Sequence, residues 1–393
     1  MHVAPRAARP ARVAGAALAA LIAALAGTAS PAAARTASAA SAAGAAAGAR
    51  LQEPSDQPHE VTSWPDGGVF TVVATSVTNA WALGSTDLGQ RLLIRHWDGS
   101  AWTMSDVGQL PAAGSLNEVL GSAATSDSDV WGVGLTGNGR RGLIVHWDGT
   151  AWSQVAMPGL GGLDSGLAGV AALTPQDAWA VGQAADSTET LILHWDGSSW
   201  QQVPSPSPAG YSQLEGIHAV SASNIWAVGQ SGRGASMTTL ILHWDGQAWT
   251  QVPSPSPPGG SQLASVSASS GRDAWAVGET GLDSLILHWN GRAWRRVPSP
   301  NARGLVGTTL ASVAVVSARS AWAVGSGSDP VSALILHWNG RAWRQLPAPP
   351  DQPGPSPEQV LAGVIAPAAG STWAVGQDDN FPVALRWNGR AWS

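Results

Sequence analysis

Six histidines recur along the chain, each followed directly by tryptophan and then by Asp-Gly or Asn-Gly. They are His96, His146, His194, His243, His288 and His337. Imidazoles beside carboxylates can bind transition metals and move protons near neutral pH. These histidines lie about 48 residues apart at one position of a repeat, and Arg386 takes that position in a seventh copy. A repeated position is spread around an assembly, so the pattern predicts a structural role, and we expect neither a metal site nor a cofactor.

A second set of polar residues differs among the copies and is the better candidate for ligand binding. Four members follow the glycine of a recurring Trp-Ala-Val-Gly motif, and three lie in the variable segments after it. The candidate ligand-binding residues are Gln183, Gln230, Glu279, Gln377, Asp378, Asp379 and Arg233. The sequence pairs no acid with a base or nucleophile among them, so it specifies no catalytic set.

Tryptophan marks the repeat that must position these residues. Its first position is Trp81, Trp131, Trp179, Trp226, Trp275, Trp322 and Trp373. Its second position is Trp97, Trp147, Trp195, Trp244, Trp289, Trp338 and Trp387. Its third position is Trp102, Trp152, Trp200, Trp249, Trp294, Trp343 and Trp392. The first position recurs every 47 to 51 residues, a period typical of propellers and solenoids.

The segment around the second and third tryptophans is predicted to be a hairpin. In the copy at residues 240–244, alternation places Leu240, Leu242 and Trp244 on one face of a strand. Asp-Gly or Asn-Gly then forms the turn, since glycine tolerates positive φ and the Asx side chain binds nearby backbone amides. The structural residues of two copies are Trp179, Trp195, Asp196, Gly197, Trp200, Trp226, Trp244, Asp245, Gly246 and Trp249.

Short β-branched or aromatic segments bounded by Gly, Asp, Asn, Pro or Ser fill the rest of each unit, and no segment has helical periodicity. Four strands in each of seven units predict an all-β fold. We expect a seven-bladed β-propeller of four-stranded antiparallel blades over residues 61–393. The tryptophans should pack between neighbouring blades, although a sugar-stacking role for one or two of them stays open.

The N-terminal residues have a different composition. Three arginines precede a small, apolar run at 13–26 that is short for a membrane span. Residues 1–34 are predicted to be a signal peptide, with an uncleaved anchor as the alternative. Residues 35–60, rich in Ala, Ser and Gly, are predicted to be a disordered linker after which the propeller begins. We therefore expect a secreted protein, which the cell surface could retain.

Composition restricts the partners. The chain of 393 residues has no cysteine, a net charge of −6 and no basic cluster larger than a pair. Nucleic acid is thus not expected as a partner. No later segment is apolar enough to cross a bilayer, and we expect a monomer that could bind a protein or carbohydrate ligand.

The last unit ends one residue after Trp392, so most of its outer strand is missing. Residues 61–65 (VTSWP) match residues 200–204 (WQQVP) in having two large residues followed by proline. The N-terminal segment is therefore a candidate for completing the seventh blade.

The hairpin motif resembles the Asp-box (BNR) repeat, in which an Asp-stabilised turn between the third and fourth strands is followed by a packing tryptophan. The pairing of Trp-Ala-Val-Gly with Asp-Gly-x-x-Trp is similar to the repeats of photosystem-assembly-factor and sialidase-type propellers. The resemblance covers residues 61–393 and implies a propeller. It does not carry over a sialidase site, because the chain has one tyrosine, Tyr211, and its arginines mostly occupy repeated turn positions.

The two ends of such a propeller should differ in use. Turns between first and second and between third and fourth strands are nearly uniform among copies, whereas the other connections vary. A varied set of loops can present a specific surface. We expect a non-enzymatic binding propeller that recognises a protein or glycan there. The alternative is an extracytoplasmic glycoside hydrolase or lyase that uses Glu279, Asp378 and Asp379.

Overall fold

Seven four-stranded antiparallel sheets make up the protein. The computed structural model describes residues 62–63 and 67–392, apart from gaps at 87–90, 109, 111–116, 138–140, 161–163, 185–187, 209, 301–305, 330, 350–358, 369 and 379–380. They belong to one unit, Val61–Ser393. The predicted signal peptide and linker lie outside the described residues.

The chain enters the fold through β1 (Thr62–Ser63), which belongs to the last blade. Blades one and two contain β2 (Gly68–Ser76), β3 (Asn79–Thr86), β4 (Arg91–Trp97), β5 (Trp102–Met104), β6 (Glu118–Ser126), β7 (Asp129–Thr136), β8 (Arg141–Trp147) and β9 (Trp152–Gln154). Blades three and four contain β10 (Ser165–Thr174), β11 (Asp177–Ala184), β12 (Glu189–Trp195), β13 (Trp200–Gln202), β14 (Ser212–Ser221), β15 (Asn224–Ser231), β16 (Thr238–Trp244) and β17 (Trp249–Gln251). A 3-10 helix, Gly234–Ser236, lies between β15 and β16.

Blades five and six contain β18 (Ser261–Ser270), β19 (Asp273–Thr280), β20 (Asp283–Trp289), β21 (Trp294–Arg296), β22 (Val306–Ser317), β23 (Ser320–Asp329), β24 (Val331–Trp338) and β25 (Trp343–Leu346). Blade seven contains β26 (Gln359–Ala368), β27 (Ser371–Asp378), β28 (Phe381–Trp387) and β1. The first strands of successive blades contact one another in a closed ring, with β26 next to β2. The predicted seven-bladed β-propeller is confirmed.

Each blade buries both faces against its neighbours, which explains why the second and third strands are apolar throughout. In blade four, Ile225 and Ala227 pack with residues of blade three. Trp226 and Val228 on the opposite face pack with residues of blade five. Alternation along one strand therefore supplies two separate cores.

The tryptophans form a cluster at every blade interface, as predicted. The ring centroid of Trp226 lies 5.0 Å from that of Trp289 and 5.3 Å from that of Trp294, both in the next blade. The same contact closes the ring, since Trp373 of blade seven lies 5.1 Å from Trp97 and 5.3 Å from Trp102. Edge-to-face and tilted ring pairs are favourable arrangements of this kind.

The repeated histidines lie within these clusters and stay apart from each other. The ring centroid of His243 lies 4.3 Å from that of Trp226 in its own blade, with the rings tilted by 39°, and its Nε2 donates to Asn224 Oδ1 at 2.9 Å. His194 has the same contacts with Trp179 and Asp177. In the seventh blade the guanidinium of Arg386 lies over Trp373, where a histidine ring stacks elsewhere. The position thus supplies a flat polar group that covers the first tryptophan.

The Asp-Gly and Asn-Gly turns have the predicted geometry. Asp196 Oδ1 accepts hydrogen bonds from the backbone amides of Ser198 (2.8 Å) and Ser199 (2.9 Å), and Gly197 has a φ of 92°. Asn290 Oδ1 accepts the equivalent two amide bonds at 3.0 Å. These hydrogen bonds, with that of the Ser198 hydroxyl as the largest cause, lower the pKa of Asp196 to about 2.

The seventh blade is completed by both ends of the chain. Thr62 pairs with Ala384 and Ser63 with Val383, while Trp392 forms a bridge with Trp387. N-terminal completion is therefore confirmed, but the register differs from the alignment of residues 61–65 with residues 200–204. Trp392 keeps the first position of the outer strand, so Thr62 stands where Leu346 stands in blade six. Trp64 lies outside the described residues.

Candidate functional site

The two ends of the propeller are built differently. At one end, the indole N–H of Trp244 donates to Ala222 O at 3.1 Å and joins the turn between first and second strands to the hairpin of the same blade. Equivalent bonds recur in other blades, for example from Trp195 to Pro175 O. We call this the uniform face. The opposite end, formed by the connections between second and third strands and between blades, is the loop-variable face.

Three of the seven candidate residues are glutamines at the loop-variable ends of second strands. Gln183, Gln230 and Gln377 lie in strands, and not in loops as their position after the motif suggested. Gln377 extends toward the next blade, where its Nε2 donates to Gly67 O at 3.5 Å. Gln230 is 1% exposed, and its Oε1 has no hydrogen-bond partner among the described residues.

Glu279 occupies the equivalent position in blade five and links two blades. One carboxylate oxygen accepts a hydrogen bond from Gln262 Nε2 at 2.6 Å, and the other accepts one from Thr309 Oγ1 of blade six at 2.6 Å. Both oxygens are therefore occupied by protein donors, which gives this side chain a place in blade-to-blade packing.

The remaining candidates are scattered. Asp378 is 3% exposed at the end of β27, and Asp379 lies outside the described residues. Arg233 is exposed, with its guanidinium carbon 4.6 Å from the ring centroid of Tyr211. Its loop is held in place, because Ser261 N donates to Met237 O at 3.0 Å.

A central cavity of about 390 Å³ is lined by the first strands of all seven blades. Its wall consists mostly of alanine, valine, glycine and serine. Among the described residues that line it, Glu215 and His218 are the titratable ones, and both belong to β14. Neither residue was among the candidates predicted from the sequence.

Glu215 lies at a β-bulge that every first strand contains. The bulged residues are Phe70, Leu120, Ala168, Glu215, Ala264, Ala311 and Ala362. The residue after the bulge sets how closely the strands approach: a Cβ on Gly169 would lie 3.0 Å from Glu215 O, and one on Gly216 would lie 2.9 Å from Ala264 O. The only polar member of the bulge ring is therefore held where the strands are tightly packed.

Three further side chains orient the Glu215 carboxyl group. Gln213 Nε2 donates to Glu215 Oε1, and Gln213 Oε1 accepts the Tyr211 hydroxyl at 2.5 Å. Because Arg233 covers the Tyr211 ring, a continuous line of polar contacts runs from the loop-variable face into the cavity. Burial raises the pKa of Glu215 to about 8.

His218 has a structural explanation. Burial lowers its pKa to about 4, although a hydrogen bond with the backbone of Ala268 in blade five acts in the opposite direction and raises the pKa. Ser267 occupies the equivalent position in blade five, and its Oγ accepts the amide of Val315 in blade six at 3.1 Å. Both side chains therefore connect adjacent first strands.

Large apolar side chains are exposed at two hairpins of the loop-variable face. Leu282, between β19 and β20, is 71% exposed, and Phe381, at the start of β28, is 48% exposed. With Arg233 they form a set that we call the exposed trio. The sequence marked these segments as variable, but exposure depends on the hairpin geometry.

Metal sites and membrane-spanning helices are absent from the described residues. No group of three or more His, Asp or Glu side chains there is arranged to hold a metal ion. No helix in the same residues is long and apolar enough to cross a membrane.

The chain has been compared with known proteins. No protein-family model matches it, and no curated protein matches it. Solved structures do match: "YCF48 bound to D1 peptide" aligns with a TM-score of 0.57 and 15% identity over 84% of this chain and 96% of its own. The RRP9 WD40 repeats align with a TM-score of 0.54 and 12% identity over 81% and 89%.

A GH74 xyloglucanase from Xanthomonas campestris aligns with a TM-score of 0.56 and 14% identity over 85% of this chain and 54% of its own. This chain thus spans about half of that enzyme. The three structures have propellers in common with this chain and differ in function, so the similarity establishes the fold.

Proposed function

We propose that this protein is a non-enzymatic binding propeller that recognises a protein partner through its loop-variable face. The observation that carries the proposal is the contrast between the two ends. The uniform face, where Val77 is the exposed large apolar side chain, repeats one hairpin with its turn amides bonded internally, whereas the loop-variable face exposes the dissimilar side chains Arg233, Leu282 and Phe381. Exposed apolar and arginine side chains are typical of protein-binding surfaces.

A protein is favoured over a glycan because the tryptophans are engaged elsewhere. The first and third tryptophan of each described repeat are buried, and the second contacts a neighbouring blade. Stacking platforms for sugar rings would have to come from other residues. The aligned YCF48 structure has a bound D1 peptide, which is compatible with peptide recognition by a propeller of this kind.

The hydrolase or lyase alternative receives less support. Glu279 has both oxygens occupied by protein donors, and Asp378 is buried. A carboxylate that acts as nucleophile or general base needs access to the substrate. The alternative is still tested below, because the chain is similar in structure to a xyloglucanase.

We also propose that the protein is secreted and that it is related to Asp-box propellers. The N-terminal composition supports secretion through a cleaved signal peptide. The Asp196 turn between third and fourth strands, followed by Trp200, supports a relation to Asp-box propellers. The acidic net charge and the absence of large basic clusters favour a partner other than nucleic acid.

The test compares two triple variants of the mature protein. A partner is first captured from the extracellular fraction by cross-linking, and its affinity for the purified protein is then measured directly. Changing Arg233→Ala, Leu282→Ser and Phe381→Ser together should weaken binding at least about 10-fold, because exposed anchors dominate interface energies.

The matched control changes three exposed arginines of the uniform face: Arg292→Ala, Arg341→Ala and Arg390→Ala. Binding should change less than about 2-fold. Equal losses in both variants would contradict the assignment of the face. Turnover of glycosidase or lyase substrates that disappears in Glu279→Gln or Asp378→Asn would replace the proposal with the enzyme.

A further inference from the structure

The Glu215 carboxyl group lines the cavity, and only one of its two oxygens is hydrogen-bonded to the protein. Oε1 accepts the hydrogen bond from Gln213, and Oε2 has no partner among the described residues. Tyr211 fixes the Gln213 amide, so the carboxyl group is oriented before any ligand arrives. A pre-oriented acceptor whose free oxygen lines a cavity is a feature of binding sites, because pre-organisation lowers the cost of binding.

The cavity offers no cation to pair with this carboxyl group. Its described lining comes from the seven first strands and contains no arginine or lysine. The strands packed against β14 are β10, β11, β12, β15 and β18. Their titratable residues are Asp177 on β11 with Glu189 and His194 on β12, and none of these three lines the cavity. Asp177 and His194 are hydrogen-bonded to each other, and Glu189 is exposed. His218, on β14 itself, is the other titratable residue of the cavity lining and is hydrogen-bonded to the backbone of Ala268.

The rest of the bulge ring is complementary to an alkyl chain. Ala168 and Ala264 flank Glu215 in the neighbouring blades, and Phe70 lies across the ring in blade one. Phe70 and Leu120 are partly exposed to the cavity. An aromatic ring and small apolar side chains stabilise a cation and its methylene stem, respectively.

We propose that the central cavity binds a primary alkylammonium group, with Glu215 as its counter-ion. The group could belong to a free amine or to a lysine side chain of a partner that enters from the loop-variable face. The cavity of about 390 Å³ accommodates either one. Arg233 of the exposed trio reaches this site only through the Tyr211 ring, and none of the trio residues is changed in the test below, so the result is independent of the proposed function.

Binding must displace a proton at neutral pH. Because burial raises the pKa of Glu215 to about 8, the free carboxyl group is mostly protonated at pH 6 and mostly ionised at pH 9. An alkylammonium stays charged over that range. Its affinity should therefore rise about 50- to 100-fold from pH 6 to pH 9, and near pH 7 binding should release about one proton.

Calorimetric titration with n-butylammonium chloride tests the site, and n-butanol serves as the neutral probe. We expect one-to-one binding of the ammonium at pH 9, and none of the alcohol. A second arm uses the peptide acetyl-Gly-Lys-Gly-amide. Binding of the free amine alone would support a small-molecule ligand, and equal or tighter binding of the peptide would support a partner's lysine.

Three variants separate the site from general effects. Glu215→Gln keeps an acceptor for Gln213 and should reduce ammonium affinity at least 10-fold. Ala264→Leu, which introduces the side chain already present at Leu120 in the same ring, should narrow the cavity and reduce affinity without touching Glu215. Glu189→Gln, an exposed acid at the start of β12, should leave affinity unchanged. Absence of binding at pH 9, equal binding of n-butanol, or unchanged affinity in Glu215→Gln in a folded protein would overturn the proposal.

Discussion

At the residue scale, Glu215 shows how a functional candidate can be concealed in a repeat. Its neighbours in the bulge ring are alanine, leucine and phenylalanine, and the strand around it is paired like the others. Differences among the seven repeats pointed to residues in the connections between second and third strands, and Glu215 lies in a first strand. Glu215 was missed because a single acid in an alternating strand gives no sign that a bulge turns it toward the cavity.

The raised pKa of Glu215 predicts a stability effect of definite sign. The ordinary pKa is 4.5 and the folded value is about 8, so the folded protein holds a proton that the unfolded chain releases. This contribution is fully present below about pH 4.5 and is lost as the pH rises through 8. The melting temperature of the wild type should therefore fall by several degrees from pH 6 to pH 9, as measured by calorimetry.

In Glu215→Gln this decline should be largely absent, because glutamine does not titrate. The melting temperature of Glu189→Gln should follow that of the wild type, since the side chain is exposed. Parallel curves for the wild type and Glu215→Gln would show that the cavity does not hold the carboxyl group in its protonated form.

At the element scale, the hairpin between third and fourth strands was predictable almost completely. Period-2 alternation, the Asx-Gly turn and the tryptophan that starts the next strand agree with one another, and all three depend on neighbouring residues. The ends of the second strands were less predictable. Gln230 follows a glycine as a loop residue would, but pairing with Gln213 extends the strand through it and buries its side chain.

The Asp turns predict how the hairpins respond to acid. Hydrogen bonds lower the pKa values of Asp98, Asp148 and Asp196 to about 2 from an ordinary value of 3.8. Their contribution to stability is present above about pH 3.8 and is lost as the pH falls through 2. Changing all three to asparagine should therefore reduce the loss of melting temperature between pH 5 and pH 2.

Asparagine is the natural residue in the turn at Asn290, where it makes the same two amide contacts, so the triple variant should fold. Circular dichroism melts at each pH check the prediction. If the triple variant lost as much melting temperature in acid as the wild type, other carboxylates would dominate acid unfolding.

At the scale of the whole molecule, the ring is closed by residues far apart in sequence. The number of blades followed from counting tryptophans, and completion by the N-terminal segment followed from the missing outer strand. The register of β1 could not be predicted in the same way. A short match between residues 61–65 and 200–204 does not show that Trp392 already fills the first position of the outer strand. Strand pairing between distant segments depends on the folded ring, and not on local pattern.

Ring closure predicts different effects for two N-terminal truncations. Removing residues 1–60 should leave the melting temperature nearly unchanged, since β1 is retained. Removing residues 1–66 deletes β1, exposes the edge of β28 and should lower the melting temperature by several degrees. Calorimetry on both truncated proteins checks this, and equal values would show that the β1 pairing contributes nothing to stability.

The central claim is that recognition belongs to the loop-variable face, while the repeated tryptophan hairpins build the ring. Hydrogen–deuterium exchange of the protein, with and without its captured partner, tests this claim most directly. Protection should appear in the segment at 231–237 and in the hairpins at Leu282 and Phe381, with no change at the turns beginning at Asp196 and Asp245. Protection confined to those turns would contradict the account and assign binding to the uniform face.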